Sequence, residues 1–238
     1  EYDGIWESSL TDSASKGFPD VELIGLESRI HTINEILEVT QKPLIVDGDT
    51  GRSPIEFEFL VRRLERMGVS AVIIEDKVFP KRNSLDTSAN QTLEAPNLFA
   101  QKIQRGKSQV LTDDFMIIAR LESLIAGTGL EDALFRAEIY IQDGVDGIMI
   151  HSQQAEPDEI LAFGAAYRPL FENLGVRPPL VCVPTTYNTI TDQELAGHGF
   201  NVMIHANHLL RASYKAMEEA ALSILRHDRS NEVEAICT

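Results

Sequence analysis

Asp47-Gly48-Asp49 places two carboxylates one residue apart at the end of an apolar run, Leu44-Ile45-Val46. Strand alternation aims both the same way, and burying two carboxylates together calls for a cation. Glu75 ends the next run, Ala71-Val72-Ile73-Ile74, and completes an oxygen-ligand set suited to Mg²⁺. The same place after other runs holds Ser8, Arg120, His151, Thr185 and Asn207. An arginine there clamps a carboxylate or phosphate, or pairs structurally with one of the acids. His151 is either a substrate contact or a satisfied structural histidine. A single strand-end Asp is as often a helix cap or turn former. His205 and His208 lack the carboxylate and third ligand of a metal site, and Trp6 and the methionines read as core.

Seven such apolar runs alternate with amphipathic stretches. Continuous β-rich runs of about four to six residues mark parallel strands buried on both faces. Helical patterns cover 22–39, 54–66, 129–142, 157–173 and about 209–226, with Gly144 and Gly175 placed to stop two of them. The polar tail 228–238 reads as frayed. This alternation predicts a single α/β domain over 1–238 with a parallel sheet. No glycine-rich phosphate fingerprint opens the first helix, since Gly127-Thr128-Gly129 lacks a third glycine. A TIM-type (β/α)8 barrel is therefore expected, with its chemistry where the strand ends converge. A closed barrel needs eight strands, so the expectation is that a first βα unit precedes the chain shown, which starts at Glu1. Residues 77–96 are long, polar and aperiodic, as lids are. Within them Lys81-Arg82-Asn83-Ser84-Leu85 offers a cation and hydrogen-bonding groups that can close over an anion.

The 238 residues carry 37 acidic and 21 basic side chains, a formal charge of −16. That balance argues against nucleic acid and anionic membrane as partners, but not against a small anionic substrate. No apolar run approaches the ~20 residues of a membrane span, and no signal peptide is visible. Cys182 and Cys237 give neither a disulfide framework nor a zinc spacing, so a cytoplasmic setting is expected.

Several motifs together resemble the phosphoenolpyruvate mutase family of the isocitrate lyase superfamily. They are Gly4-Ile5-Trp6-Glu7-Ser8-Ser9-Leu10, Asp47-Gly48-Asp49-Thr50-Gly51, Glu75-Asp76-Lys77-x-Phe79-Pro80-Lys81-x-Asn83-Ser84-Leu85, Ile118-Ala119-Arg120 and Ile150-His151-Ser152. Val183-Pro184-Thr185 and Ala206-Asn207-His208 extend the likeness over nearly the whole chain. The resemblance implies a modified α/β barrel with a C-terminal helix swapped between subunits of a homodimer or homotetramer. It implies interconversion of phosphoenolpyruvate and phosphonopyruvate with Mg²⁺, and coupling to a phosphonopyruvate decarboxylase. Asp47 then resembles the main metal-anchoring acid, with Asp49 and Glu75 supporting. Trp6, Ser8, Ser9 and Leu10 resemble the cradle for the substrate's carboxylate side. Arg120 and His151 resemble phosphoryl contacts, and Lys81, Asn83, Ser84 and Leu85 the gating loop. Asp20 stands where the family also has an acid.

Ser9 occupies a position where the family often has Gly, and the role there is one of backbone N–H. The nearest alternative is phosphonopyruvate hydrolase, which carries threonine where this chain has Asn83. His205-Ala206-Asn207-His208 also sits nearer the mutase pattern. The C–C lyase branch uses a cysteine-containing loop that this chain lacks, and an oxaloacetate decarboxylase is weaker still. A non-catalytic barrel is opposed by the intact Asp47, Asp49, Glu75, Lys81 and Arg120.

Overall fold

The computed structural model describes residues 2–172 and 174–237. They form two compact units, Glu1–Ile204 and His205–Thr238. In the first unit the strands are β1 (Ile5–Glu7), β2 (Leu44–Asp47), β3 (Ala71–Glu75), β4 (Met116–Leu121), β5 (Gly147–Ile150), β6 (Leu180–Cys182) and β7 (Val202–Met203). They make one parallel sheet in chain order, the strand arrangement of an α/β barrel. Parallel pairing puts every C-terminal strand end on one edge. Asp47, Glu75, Arg120 and His151 therefore arise side by side, and Glu75 pairs directly with Arg120 in register.

The connections are α1 (Ser9–Ser15), α2 (Leu26–Val39), α3 (Pro54–Arg66), α4 (Pro96–Lys107), α5 (Ser123–Ala126), α6 (Gly129–Gln142), α7 (Asp158–Tyr167) and α8 (Asp192–Gly197). β3 is buried along its whole length, as expected for a strand covered on both faces. Val72 and Ile74 from it pack with Phe57 and Leu64 of α3 and Phe99 and Ile103 of α4. Gly106 lets α4 approach this core, because a Cβ there would collide with the Phe57 ring.

Helices α3 and α6 match the expected bounds. Ser53 and Glu56 cap α3 reciprocally, with Pro54 following the cap. The helix expected over 22–39 starts only at Leu26, because Glu22 adopts a left-handed conformation (φ 57°). The helix expected over 157–173 stops at Tyr167 and becomes a 3₁₀ turn, Arg168–Leu170, where Pro169 lacks the N–H to continue the ladder. With α7 ended at Tyr167, Gly175 does not stop that helix, and Asn173 lies outside the described residues. The short α1, α5 and α8, and α4 directly after residues 77–95, were not anticipated from the pattern.

The second unit holds α9 (His208–His227), a 3₁₀ turn (Asn231–Val233) and α10 (Glu234–Cys237). The tail expected to fray is thus turned and helical, with Val233 buried. No residue of α9 is buried, and Leu209, Tyr214, Met217 and Leu225 are exposed along it. No helix among the described residues is long and apolar enough to cross a membrane.

Candidate active site

After Asp47 the chain turns through Gly48, which lies so close to β3 that a Cβ would meet Ile74 and Val72 methyls at 2.8 Å. Asp49 follows in the left-handed region (φ 53°). Strand alternation therefore does not aim Asp49; the turn does. Its carbonyl accepts from the Glu75 N–H at 2.7 Å, and its N–H donates to Asp47 Oδ1 at 3.2 Å.

Two cations converge on this turn. Arg29 reaches from α2, donating from Nη1 to Asp49 Oδ2 at 2.5 Å and from Nη2 to Glu7 Oε2 at 2.6 Å and to the Asp47 carbonyl. Lys81 Nζ comes down from the 77–95 segment to Asp49 Oδ1 at 2.7 Å, Ser9 Oγ at 2.8 Å and Asp20 Oδ1 at 3.0 Å. Ser9 contributes its side chain as well as its backbone: Oγ donates to Asp47 Oδ2 at 2.8 Å, and the N–H points to the same oxygen at 3.3 Å. Asn83 Nδ2 donates to Asp20 Oδ2 at 2.8 Å.

A second network surrounds Glu122, which is fully buried. Arg120 Nε donates to Glu122 Oε1 at 2.5 Å, and Lys77 Nζ meets Oε2 at 2.8 Å. Ser84 Oγ donates to the same Oε2 at 2.5 Å and accepts from Arg120 Nη2 at 2.8 Å and Lys77 Nζ at 2.6 Å. Arg120 Nη2 also approaches His151 Nδ1 at 2.9 Å, and Glu122 Oε1 lies 3.2 Å from the same ring nitrogen. Asp76 sits behind, accepting from the Glu122 N–H, Arg136 and the Tyr140 hydroxyl.

Glu75 lies between the two networks and is poorly compensated. Its nearest cations are Arg120 at 3.5 Å and Lys77 at 3.8 Å, and Oε1 has no hydrogen-bond partner. Burial outweighs these cations and pushes the carboxyl up to about 7. Asp47 is equally buried, yet Lys81, Arg120 and Arg29 overcome that and hold it down at about 2. Burial and the Arg120 charge keep His151 below its usual range, hence neutral.

Asp20, Asp47, Asp49, Ser9, Lys81 and Asn83 are thus brought together, and Ser84, Arg120 and His151 meet around Glu122. Trp6 is half-buried on β1 rather than core and Ser8 caps α1; these two and Leu10 stand outside the polar network, while Leu85, 38% exposed, joins it only through its N–H, which donates to Asn83 Oδ1 at 2.9 Å. Among the described residues no three acidic, histidine or cysteine side chains converge as a ready metal shell. Sequence reasoning missed Glu7, Glu22, Arg29, Lys77 and Glu122. The Arg120-x-Glu122 and Glu75-x-Lys77 spacings were available signals, since both repeat the Asp47-x-Asp49 pattern.

Residues 1–225 match the sequence model of the family described as phosphoenolpyruvate phosphomutase. The chain belongs to that family. A phosphoenolpyruvate phosphomutase of Tetrahymena pyriformis is 37% identical over 98% of this chain and 76% of its own length. The crystal structure of the phosphoenolpyruvate phosphomutase from Streptomyces platensis subsp. rosaceus superposes with a TM-score of 0.91 at 36% identity, covering 98% of this chain and 79% of that one. Within the same superfamily, a phosphonopyruvate hydrolase solved with oxalate and Mg²⁺ superposes with a TM-score of 0.86 at 34% identity, covering 98% and 78%. This is an enzyme fold of the phosphoenolpyruvate mutase and isocitrate lyase superfamily, and its mutase and hydrolase relatives are about equally similar.

Proposed function

We propose that this chain interconverts phosphoenolpyruvate and phosphonopyruvate with Mg²⁺. The observation that carries this reading is the 77–95 segment seated on the acid cluster, with Lys81 and Ser84 buried and the Asn83 amide on Asp20. A migrating phosphoryl group is loose and metaphosphate-like, so catalysis is mostly positioning, charge balance and exclusion of water. Starting from phosphonopyruvate, the C–P bond breaks and its electron pair remains as the enolate. The enolate oxygen then bonds to phosphorus. No proton moves, so no base is required.

The donors fit Mg²⁺. Glu75 presents a buried carboxylate oxygen without a partner. Across the two networks Glu7, Asp20, Glu22, Asp47, Asp49, Glu75 and Glu122 outnumber Arg29, Lys77, Lys81 and Arg120. Asp47 and Glu75, with Asp49 behind them, are the hard oxygen donors this ion takes, partly through water. Bound there, the ion polarises the pyruvyl oxygens and stabilises enolate character. Arg120 and the His151 ring hold the phosphoryl oxygens, the 8–10 segment takes the carboxylate side, and Lys81, Asn83 and Ser84 close the lid.

Hydrolysis of phosphonopyruvate is the second reading, favoured by the similarity to the solved hydrolase. Asn83 and Ala206-Asn207-His208 support the mutase instead. A ³¹P NMR time course of phosphonopyruvate with the protein and Mg²⁺ tests it. The expected result is a phosphoenolpyruvate resonance without free phosphate. Direct orthophosphate would make it the hydrolase, and no turnover would refute both. The apolar stripe of α9 supports assembly with further copies of the chain as a helix-swapped homodimer or homotetramer. Formation of the C–P bond is uphill in this family, so a cytoplasmic phosphonopyruvate decarboxylase would consume the product.

A further inference from the structure

Glu22 belongs to no catalytic motif, yet it is buried and in a left-handed conformation rare for a glutamate. Its carboxylate is shared between two segments. Oε1 accepts from Thr50 twice, from Oγ1 at 2.8 Å and from N–H at 3.2 Å, just after Asp49. Oε2 accepts from the Lys81 N–H at 2.8 Å. One side chain thus ties the Asp47–Thr50 turn to the lid at the residue whose ammonium reaches Asp49. Arg52 fixes the other side of Glu22, donating to its carbonyl at 2.7 Å and to that of Ile24 at 3.1 Å. The same guanidinium lies 5.3 Å from the Phe79 ring of the lid. Such a non-glycine left-handed residue persists only when its surroundings over-determine it, which is common at clamps and switches.

We infer that Glu22 is a positioning residue that latches the lid closed through the Lys81 backbone and so sets where the Lys81 ammonium sits. It touches no reacting atom. Its effect is to keep the lid shut while the phosphoryl group is between its carbon and oxygen partners, the interval in which water would divert it to orthophosphate. This rests on the function proposed above only for the turnover readout.

The test compares Glu22→Ala, Glu22→Asp and Glu22→Gln in the full chain. Trypsin reads the lid directly, because Arg82 is exposed beside the buried Lys81. With oxalate and Mg²⁺ present, Glu22→Ala is expected to be nicked after Arg82 about tenfold faster than the native chain, since cleavage follows the open population. Glu22→Asp, one methylene too short to span Thr50 and Lys81, should behave like Glu22→Ala. Glu22→Gln keeps the reach but has one acceptor oxygen, so its NH2 faces the N–H of Thr50 or of Lys81 and one of the two ties is lost; it should be nicked at a rate between those of the native chain and Glu22→Ala, with cleavage outside 77–95 unchanged, which a role in general stability would not produce. In ³¹P NMR the orthophosphate share of turnover should rise in the same order. Native nicking rates in a folded Glu22→Ala, native rates in both the Asp and Gln variants, or equal acceleration at sites outside 77–95 would overturn the latch. Should Glu22→Ala fail to fold, the Asp and Gln pair still decides. Nicking needs no turnover, so a chain inactive on phosphonopyruvate would remove the proposed function and leave the latch standing.

Discussion

Glu75→Gln should make the metal-free protein more stable, and increasingly so as pH rises. The Glu75 carboxyl is pushed up from 4.5 to about 7, first by burial, against the pull of Lys77, Arg120 and Lys81. The folded chain therefore holds this proton more tightly than the unfolded one. The resulting stability is fully present below about pH 4.5 and is lost as pH rises through about 7. At about 1.4 kcal/mol per tenfold, the loss is about 3 kcal/mol. Glutamine mimics the protonated form at every pH. Unfolding free energies of both proteins from urea titrations in EDTA should thus coincide near about pH 4.5 and diverge by about 3 kcal/mol near about pH 8. Asp76, pushed up to about 6, and His151, shifted down, titrate in both proteins and cancel in the difference. Millimolar Mg²⁺ should reverse the order, because only the native chain keeps the full donor set and gains by mass action. A difference that stays flat across this pH range, or the same order with and without Mg²⁺, would refute the assignment of Glu75 as an uncompensated metal-seeking carboxylate.

Two further outcomes follow from the packing. Cys182 is buried and its thiol is pushed up to about 12, first by burial, whereas Cys237 is exposed. A thiol reagent at neutral pH should titrate one group in the native protein and two in urea; two fast native thiols would contradict the placement of Cys182. Gly106→Ala gains about 1 kcal/mol of helix propensity but drives a methyl into the Phe57 ring and to 3.1 Å from Ile117 Cδ1. Overpacking at about 1–3 kcal/mol should win, and a higher Tm would show that the α3–α4 contact yields.

The strands and the acids at their ends were legible because buried parallel strands are written as unbroken apolar runs, and capable side chains recurring at the same place after run upon run exceed what caps and turns require. Asp47, Glu75, Arg120 and His151 could be found that way. The partners that aim them could not. Arg29 sits in an amphipathic helix, where a basic residue reads as solvent-facing. Glu22 sits in an irregular loop whose left-handed turn leaves no periodic trace. The side chain of Ser9 was underrated because the resemblance assigned its position a backbone role, while here Oγ bridges Lys81 and Asp47. The pattern placed α3 to the residue, with Pro54 at its start, but Pro169 ended α7 earlier than its hydrophobic pattern suggested. Apolar periodicity registers which face is buried, not where the backbone hydrogen bonds stop.

The contacts that build the acid cluster span the chain: Ser9 to Asp47 across 38 residues, Asn83 to Asp20 across 63, and Lys81 to Ser9 across 72. Each closes a long loop, whose entropy is lost before the contact can repay it. The charges consequently meet only when neighbouring βα units have docked, and undocking one unit strands buried charges belonging to others. Local opening in the first unit is penalised by residues far away in sequence. Catalytic turnover then serves as a gauge of whole-unit cooperativity: under denaturant it should vanish together with the sheet, and not ahead of it.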